Sequence, residues 1–146
     1  MSGMETGRTG VCWWIWVEGE VTPALHARVV ATIRAWAAAP EPSCMLFVAR
    51  DTNSPSPQQR RELAGALLEA RHTSQLRGFA LVSASPIVRG TLTAVSWLLR
   101  SPVPYASFTT PHEALTWLRG QQREVEPATV EAALAKAVPH ATTARW

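Results

Sequence analysis

Hydrophobic residues fall along the chain in short apolar runs that alternate with amphipathic stretches. Residues 11–20 (VCWWIWVEGE) are dominated by aromatic and β-branched side chains, which favour a strand. Residues 43–49 (SCMLFVA) form a continuous apolar run, which is typical of a parallel strand buried on both faces. Residues 77–83 (RGFALVS) and 103–108 (VPYASF) predict two more strands, and Pro104 favours an edge position for the last one.

Four amphipathic stretches, each following one of these strands, predict helices. In the first stretch an apolar residue recurs every three or four positions, which gives one helix face: Leu25, Val29, Ile33 and Trp36. A hydroxyl residue followed by proline precedes each helix. The hydroxyl caps a free N–H of the first turn, and proline at the first position loses no hydrogen bond. These pairs are Thr22–Pro23, Ser54–Pro55 or Ser56–Pro57, Ser85–Pro86 and Thr110–Pro111.

Strands that alternate with helices imply parallel pairing through right-handed crossovers. We therefore expect an α/β fold with a single small, four-stranded, mostly parallel sheet in (βα)4 order. Residues 1–10 are polar and contain glycine, so we expect a flexible N-terminus. The domain itself is expected to span residues 11–121. Residues 122–146 would form a C-terminal extension with one short helix in PATVEAALAKAV. This segment is either a tail or a helix that docks on the domain or on a neighbour through Val130, Leu134 and Val138.

Length and composition fit one globular domain. The chain has 146 residues, of which 47% are hydrophobic and 17% are charged, and this balance excludes bulk disorder. No apolar run approaches the roughly 20 residues of a membrane helix. The first ten residues, MSGMETGRTG, lack the apolar core of a signal peptide. We therefore expect a cytoplasmic protein without a membrane span.

Charge and motifs argue against nucleic-acid binding and catalysis. The formal net charge is +3, but basic residues are scattered and Arg60–Arg61 is the only adjacent pair. Cys12 and Cys44 show no metal or redox spacing and are expected to be reduced and buried. The sequence has no phosphate-binding glycine loop, nucleophile elbow or zinc-protease motif. These features predict a non-enzymatic protein without a cofactor.

Seven tryptophans are unusual in a chain of this length. Trp14 and Trp16 point to one face of the first predicted strand, opposite Trp13. If helices cover only the other face, Trp14 and Trp16 form an exposed patch that binds a protein partner. The alternative is that helices of the same chain cover both faces. Trp97, on the third predicted helix, is expected to be a core residue.

Two turns at the carboxyl ends of predicted strands are candidate sites. Ser83, Ser85 and Arg89 surround the start of the third helix, where free N–H groups and the guanidinium could hold an anion. Ser54 and Ser56 lie in a polar loop before the second helix and could accept a phosphate. The alternative for both turns is structural, because these serines also suit helix caps.

Residues 79–118 carry a resemblance to a known family. A strand and a small-residue turn (VSAS) are followed by VRGTLTAVSWL, a short strand ending in Phe108, and EALTWL. This order resembles the STAS-like superfamily of the anti-sigma-factor-antagonist type, in the bacterial branch described as STAS/CRAL-TRIO-like. The resemblance extends over most of residues 11–120, includes EGEVT at residues 18–22, and implies a (βα)4 fold.

The resemblance implies a bacterial regulatory module that binds a signalling partner and carries out no catalysis. Some members are switched by phosphorylation of a loop serine in a D-S-x-G context. The matching loop here is Asp51 to Ser56, with Asn53–Ser54–Pro55 in place of that pattern. The partner would be another protein, with a homodimer as a further option. The alternative function is binding of a small anion, a nucleotide or a lipid headgroup.

Overall fold

Five strands form one mixed sheet in this computed structural model, which describes residues 3–69, 73–99 and 103–142. The strands stand in chain order across the sheet. β1 is antiparallel to β2, and the other neighbouring pairs are parallel. Their bounds are β1 Gly3–Thr9, β2 Cys12–Glu18, β3 Ser43–Arg50, β4 Leu76–Val82 and β5 Tyr105–Phe108.

Helices connect the parallel strands and follow the last one. They are α1 Pro23–Ala38, α2 Pro57–Leu68, α3 Pro86–Leu99, α4 Pro111–Gln121 and α5 Pro127–Ala137, and 3-10 turns lie at Thr73–Gln75 and Pro139–Thr142. The predicted hydroxyl–proline starts are confirmed. Four hydroxyls accept hydrogen bonds from backbone N–H groups three residues later: Thr22, Ser56, Ser85 and Thr110.

The two faces of the sheet are covered by different parts of the chain. α1, α2 and α3 lie on the face that carries Ile15, Met45 and Leu81. α4 and α5 lie on the opposite face and enclose the side chains of alternate positions in β2, β3 and β4. Helix α5 buries Val130 and Leu134, so the segment expected to be an extension completes the core.

The four-stranded expectation is wrong at the N-terminus, where β1 adds an antiparallel edge strand. It pairs with β2 from Gly3↔Glu18 to Thr9↔Cys12, and the turn between them has Gly10 at a φ of 59°. Residues 3–9 are therefore a strand, although they were expected to be flexible. Hydrophobic patterning could not reveal this strand, because Met4 is its one buried residue and the backbone ladder holds the rest.

The structure predicts that Gly7 fixes the packing of β1 on Trp14. The two residues are paired across the hairpin, and a Cβ at Gly7 would overlap the indole ring. We expect Gly7→Ala to lower the free energy of unfolding by about 1–3 kcal/mol, measured by urea denaturation. Gly3→Ala is the control, since a Cβ there meets no atom within 4 Å. Equal stability of the two variants would contradict this account.

Candidate functional site

The loop after β3 is held firmly at the carboxyl end of the parallel strands. Asp51 begins it with a φ of 53°, a conformation that non-glycine residues rarely adopt. The Asn53 side chain accepts a hydrogen bond from the backbone N–H of Val21 at 2.8 Å, which ties this loop to the one before α1. Ser54 is exposed at the tip of the loop. Ser54 thus directly follows a residue that is tied to the loop before α1.

Ser56 has a structural task that Ser54 lacks. Its hydroxyl accepts from the Gln59 backbone N–H at 3.1 Å, and its own N–H donates to the Gln59 side chain at 2.9 Å. This reciprocal pair is a capping box, which satisfies two otherwise free donors at the start of α2. Of the two alternatives that the sequence left open, Ser56–Pro57 is therefore the helix start.

The turn after β4 brings Ser83, Ser85 and Arg89 to one helix start. The Ser83 hydroxyl accepts from the Ser85 N–H at 3.1 Å, and the Ser85 hydroxyl accepts from the Val88 N–H at 3.3 Å. Both serines are thus used as local caps. The Nε of Arg89 is buried and has no hydrogen-bond partner within the described ranges. This unpaired donor is the one feature of the turn that local capping does not explain.

The expected aromatic patch of Trp14 and Trp16 is wrong, because α4 and α5 cover that face of the sheet. The exposed fractions of the two residues are 6% and 2%. The Trp14 indole N–H donates to Thr9 at 3.1 Å, and Trp16 meets the ring of His140 edge to face. Neither side chain is available to a partner in this structure.

A different apolar surface is exposed on α3. Ile87 and Trp97 are 71% and 76% exposed, so the expectation that Trp97 belongs to the core is wrong. Gly90 and Ala94 lie exposed between them at helical spacing, which gives a stripe without a charged residue. The helical spacing in the sequence already indicates that Trp97 is exposed. Trp97 falls off the inward face that is formed by Val88, Leu92 and Val95.

The two cysteines lie side by side within the core beneath α4 and α5. Cys12 and Cys44 are paired in the register of β2 and β3, and both are fully buried. The hydrogen bond with Cys44, and then burial, raise the pKa of the Cys12 thiol. A protonated, enclosed thiol is a poor nucleophile.

In the described ranges no cluster of His, Cys, Asp and Glu could hold a metal ion, and no helix could cross a membrane.

Comparison with known proteins agrees with this architecture. The family model described as SpoIIAA-like matches residues 12–119. The chain belongs to the SpoIIAA-like family. The STAS-like resemblance seen in the sequence is thereby confirmed, and the match extends from β2 almost to the end of α4. No protein with a curated description matches this SpoIIAA-like chain.

Two solved structures share the fold of this SpoIIAA-like protein. An anti-sigma factor antagonist from Mycobacterium paratuberculosis has a TM-score of 0.58 and 17% identity, over 82% of this chain and 95% of that one. An uncharacterized DUF3478-family protein from Shewanella loihica, with a SpoIIAA-like fold, has a TM-score of 0.55 and 14% identity. That match covers 81% of this chain and 95% of the other. At these identities the likeness concerns the fold.

The geometry of the loop after β3 predicts different roles for its two serines. We expect Ser56→Ala to lower the free energy of unfolding by about 1 kcal/mol, because α2 loses its N-cap. Ser54→Ala should stay within about 0.5 kcal/mol of the unaltered protein, as is usual for an exposed side chain. Urea denaturation of both variants tests the difference. A larger loss for Ser54→Ala would refute the assignment of the cap.

Proposed function

We propose that this SpoIIAA-like chain is a non-enzymatic regulatory module that binds a signalling protein in the bacterial cytoplasm. The observation that carries the proposal is the uncharged exposed stripe on α3, which ends in Ile87 and Trp97. An exposed helix face that carries large apolar side chains and no charge is typical of protein-binding surfaces, and tryptophan is enriched at their energetic centres. The anti-sigma factor antagonist among the similar folds supports a protein partner.

The loop after β3 extends this surface toward the carboxyl end of the sheet. Asn53 and Pro55 from the loop line one cavity together with Val88 of α3, so the loop lies against the start of that helix. We propose that a partner seated on Ile87 also contacts Ser54, which is exposed in this loop. The proposed interface would have an apolar centre on α3 and a polar edge at Ser54, whose hydroxyl can be phosphorylated.

Phosphorylation of Ser54 or Ser56 is the regulatory step that we propose for this surface. A phosphate adds a charge of about −1.5 to −2 beside the start of α2, where the helix dipole favours anions. Ser54 is the better acceptor, because the Ser56 hydroxyl already caps α2. The added charge would change the rim of the interface and leave the core untouched.

The partner-binding surface is tested by placing charge on the stripe. We expect Ile87→Glu with Trp97→Glu to weaken binding of the captured partner by at least about tenfold, since two apolar contacts are replaced by carboxylates. The partner is captured from lysate of the source cell, identified by mass spectrometry, purified and titrated by calorimetry. Light scattering shows whether it is a second copy of the chain.

The matched control carries the same two charges on the opposite side of the sheet. Ala128 and Ala132 are exposed on α5 and four residues apart, so Ala128→Glu with Ala132→Glu should leave binding unchanged. Circular dichroism confirms that both double variants fold. Undiminished binding by the α3 variant, or equal loss in the control, would refute this surface.

Anion binding at the start of α3 is the second candidate function, favoured by the unpaired buried Nε of Arg89. Together with Ser83 and Ser85, this residue could hold a phosphate, a nucleotide or a lipid headgroup. We expect inorganic phosphate or AMP to raise the melting temperature of the protein, and Arg89→Ala to abolish the rise. Arg77→Ala, an exposed arginine on β4, is the control. An unchanged melting temperature at millimolar ligand would exclude this candidate.

A further inference from the structure

The two cysteines of the chain lie directly opposite each other on neighbouring strands. Cys12 pairs with Cys44 in the register of β2 and β3, and both side chains belong to the core beneath α4 and α5. Neighbouring strands of a sheet are about 4.7–4.9 Å apart. A disulfide accepts Cα–Cα separations of about 4.4–6.8 Å, so the strand pairing places these residues within range of a covalent bond.

The two sulfur atoms converge on one short stretch of β2. The Sγ of Cys44 lies 3.8 Å from the carbonyl oxygen of Val11, and the Sγ of Cys12 lies 3.5 Å from that of Trp13. Because these carbonyls flank Cys12, the Cys44 side chain leans from β3 toward the thiol of Cys12. The two thiols are also hydrogen-bonded to each other. They are therefore in contact while both are reduced.

The backbone at both cysteines has room to adjust. The pairing of β3 with β4 shifts register between Ser43 and Cys44, so the ladder is irregular on the side of β3 that faces away from β2. Cys12 is the first residue of β2 and follows the turn at Gly10. A small shift that draws these strand ends together thus disturbs few ladder bonds.

The folded protein shields this pair from reagents. Both cysteines are fully buried on the sheet face that α4 and α5 cover. The hydrogen bond with Cys44 and burial raise the pKa of the Cys12 thiol, so its reactive thiolate form is scarce. Buried groups react through local openings of the fold. An oxidant therefore reaches the two thiols only when the helices on this face move away from the sheet.

The end of α4 is tied to the chain beside these thiols. The side-chain Nε2 of Gln122 donates to the carbonyl oxygen of Pro42 at 3.0 Å, two residues before Cys44. Gln122 is itself buried, so this bond is protected from water. Loss of one such hydrogen bond raises an opening equilibrium by about two- to tenfold. The bond from Gln122 to Pro42 thus restrains access to the cysteine pair.

We propose that Cys12 and Cys44 form a disulfide when hydrogen peroxide reaches them through movement of α4 and α5. One thiolate attacks a peroxide oxygen, the O–O bond breaks, and a sulfenic acid and one water are formed. The second thiol attacks the sulfenic sulfur, so that the S–S bond forms, the S–O bond breaks and a second water leaves. The two thiols lose two electrons and two protons, and the peroxide is reduced by two electrons.

This site is separate from the partner surface on α3, which lies on the other side of the sheet. Intracellular disulfides are typically transient and sense redox conditions. The bond would join β2 to β3 and enclose α1 in a covalent loop. Because it forms only while α4 and α5 are displaced, its formation depends on both the oxidant and the state of the fold.

Intact-mass spectrometry of the reduced full chain treated with hydrogen peroxide tests the site. We expect a loss of about 2 Da, which corresponds to two hydrogen atoms and is reversed by dithiothreitol. After free thiols are blocked, digestion should yield one linked pair of peptides that contains Cys12 and Cys44. Cys12→Ala and Cys44→Ala are the controls, and each should gain oxygen on its remaining thiol without losing mass.

Access to the pair is tested at the end of α4. We expect Gln122→Ala to raise the rate of disulfide formation by about two- to tenfold at a fixed peroxide concentration. Gln122→Glu keeps the size of the side chain but has no N–H donor, and it should act in the same direction. Arg123→Ala is the matched control, because this neighbouring side chain is exposed and its loss should leave the rate unchanged. Circular dichroism verifies that each variant folds.

The proposal is overturned if millimolar peroxide gives the unaltered chain no disulfide, or gives bonds between two chains and none within one. Equal rates for the folded Gln122 variants and Arg123→Ala would also overturn it, because opening at α4 would then not control the reaction. If neither Gln122 variant folds, the mass change of the unaltered protein and its linked peptides still decides whether the site exists.

Discussion

Consecutive pairing of parallel strands is the constraint on which the rest of this structure depends. β2, β3, β4 and β5 stand in chain order, and right-handed crossovers between such neighbours place every connecting helix on the same face. α1, α2 and α3 therefore cannot shield the other face. That face carries Trp14, Trp16 and both cysteines, and α4 and α5 have to supply its cover. The helix in residues 127–137 is thus part of the core.

The sequence predicted the helical and parallel part of the fold well, because its cues were local. Each hydroxyl–proline pair marks a helix start through bonds within four residues, and the structure contains those bonds. The strand β1 could not be predicted in this way. Its stability comes from a backbone ladder with β2, and ladder bonds leave almost no trace in side-chain patterning.

The candidate site was predicted less well, because exposure depends on distant segments. The alternation that placed Trp14 and Trp16 on one face was right, but whether that face is open depends on helices more than 90 residues later. Trp97 shows the reverse case, in which the helical spacing already placed it off the inward face. The serine turns were placed correctly at the strand ends, and the capping bonds predicted for Ser56 and Ser85 are present in the structure.

The late arrival of α5 has a consequence for synthesis of the chain. β2 emerges from the ribosome about 110 residues before α5, which at about 5–20 residues per second is a delay of roughly 5–20 s. During that interval the sheet face with Trp14 and Trp16 lacks its final cover. The nascent chain therefore passes through a state in which this aromatic face is exposed and could be bound by a holding chaperone. In the folded protein the same face is buried.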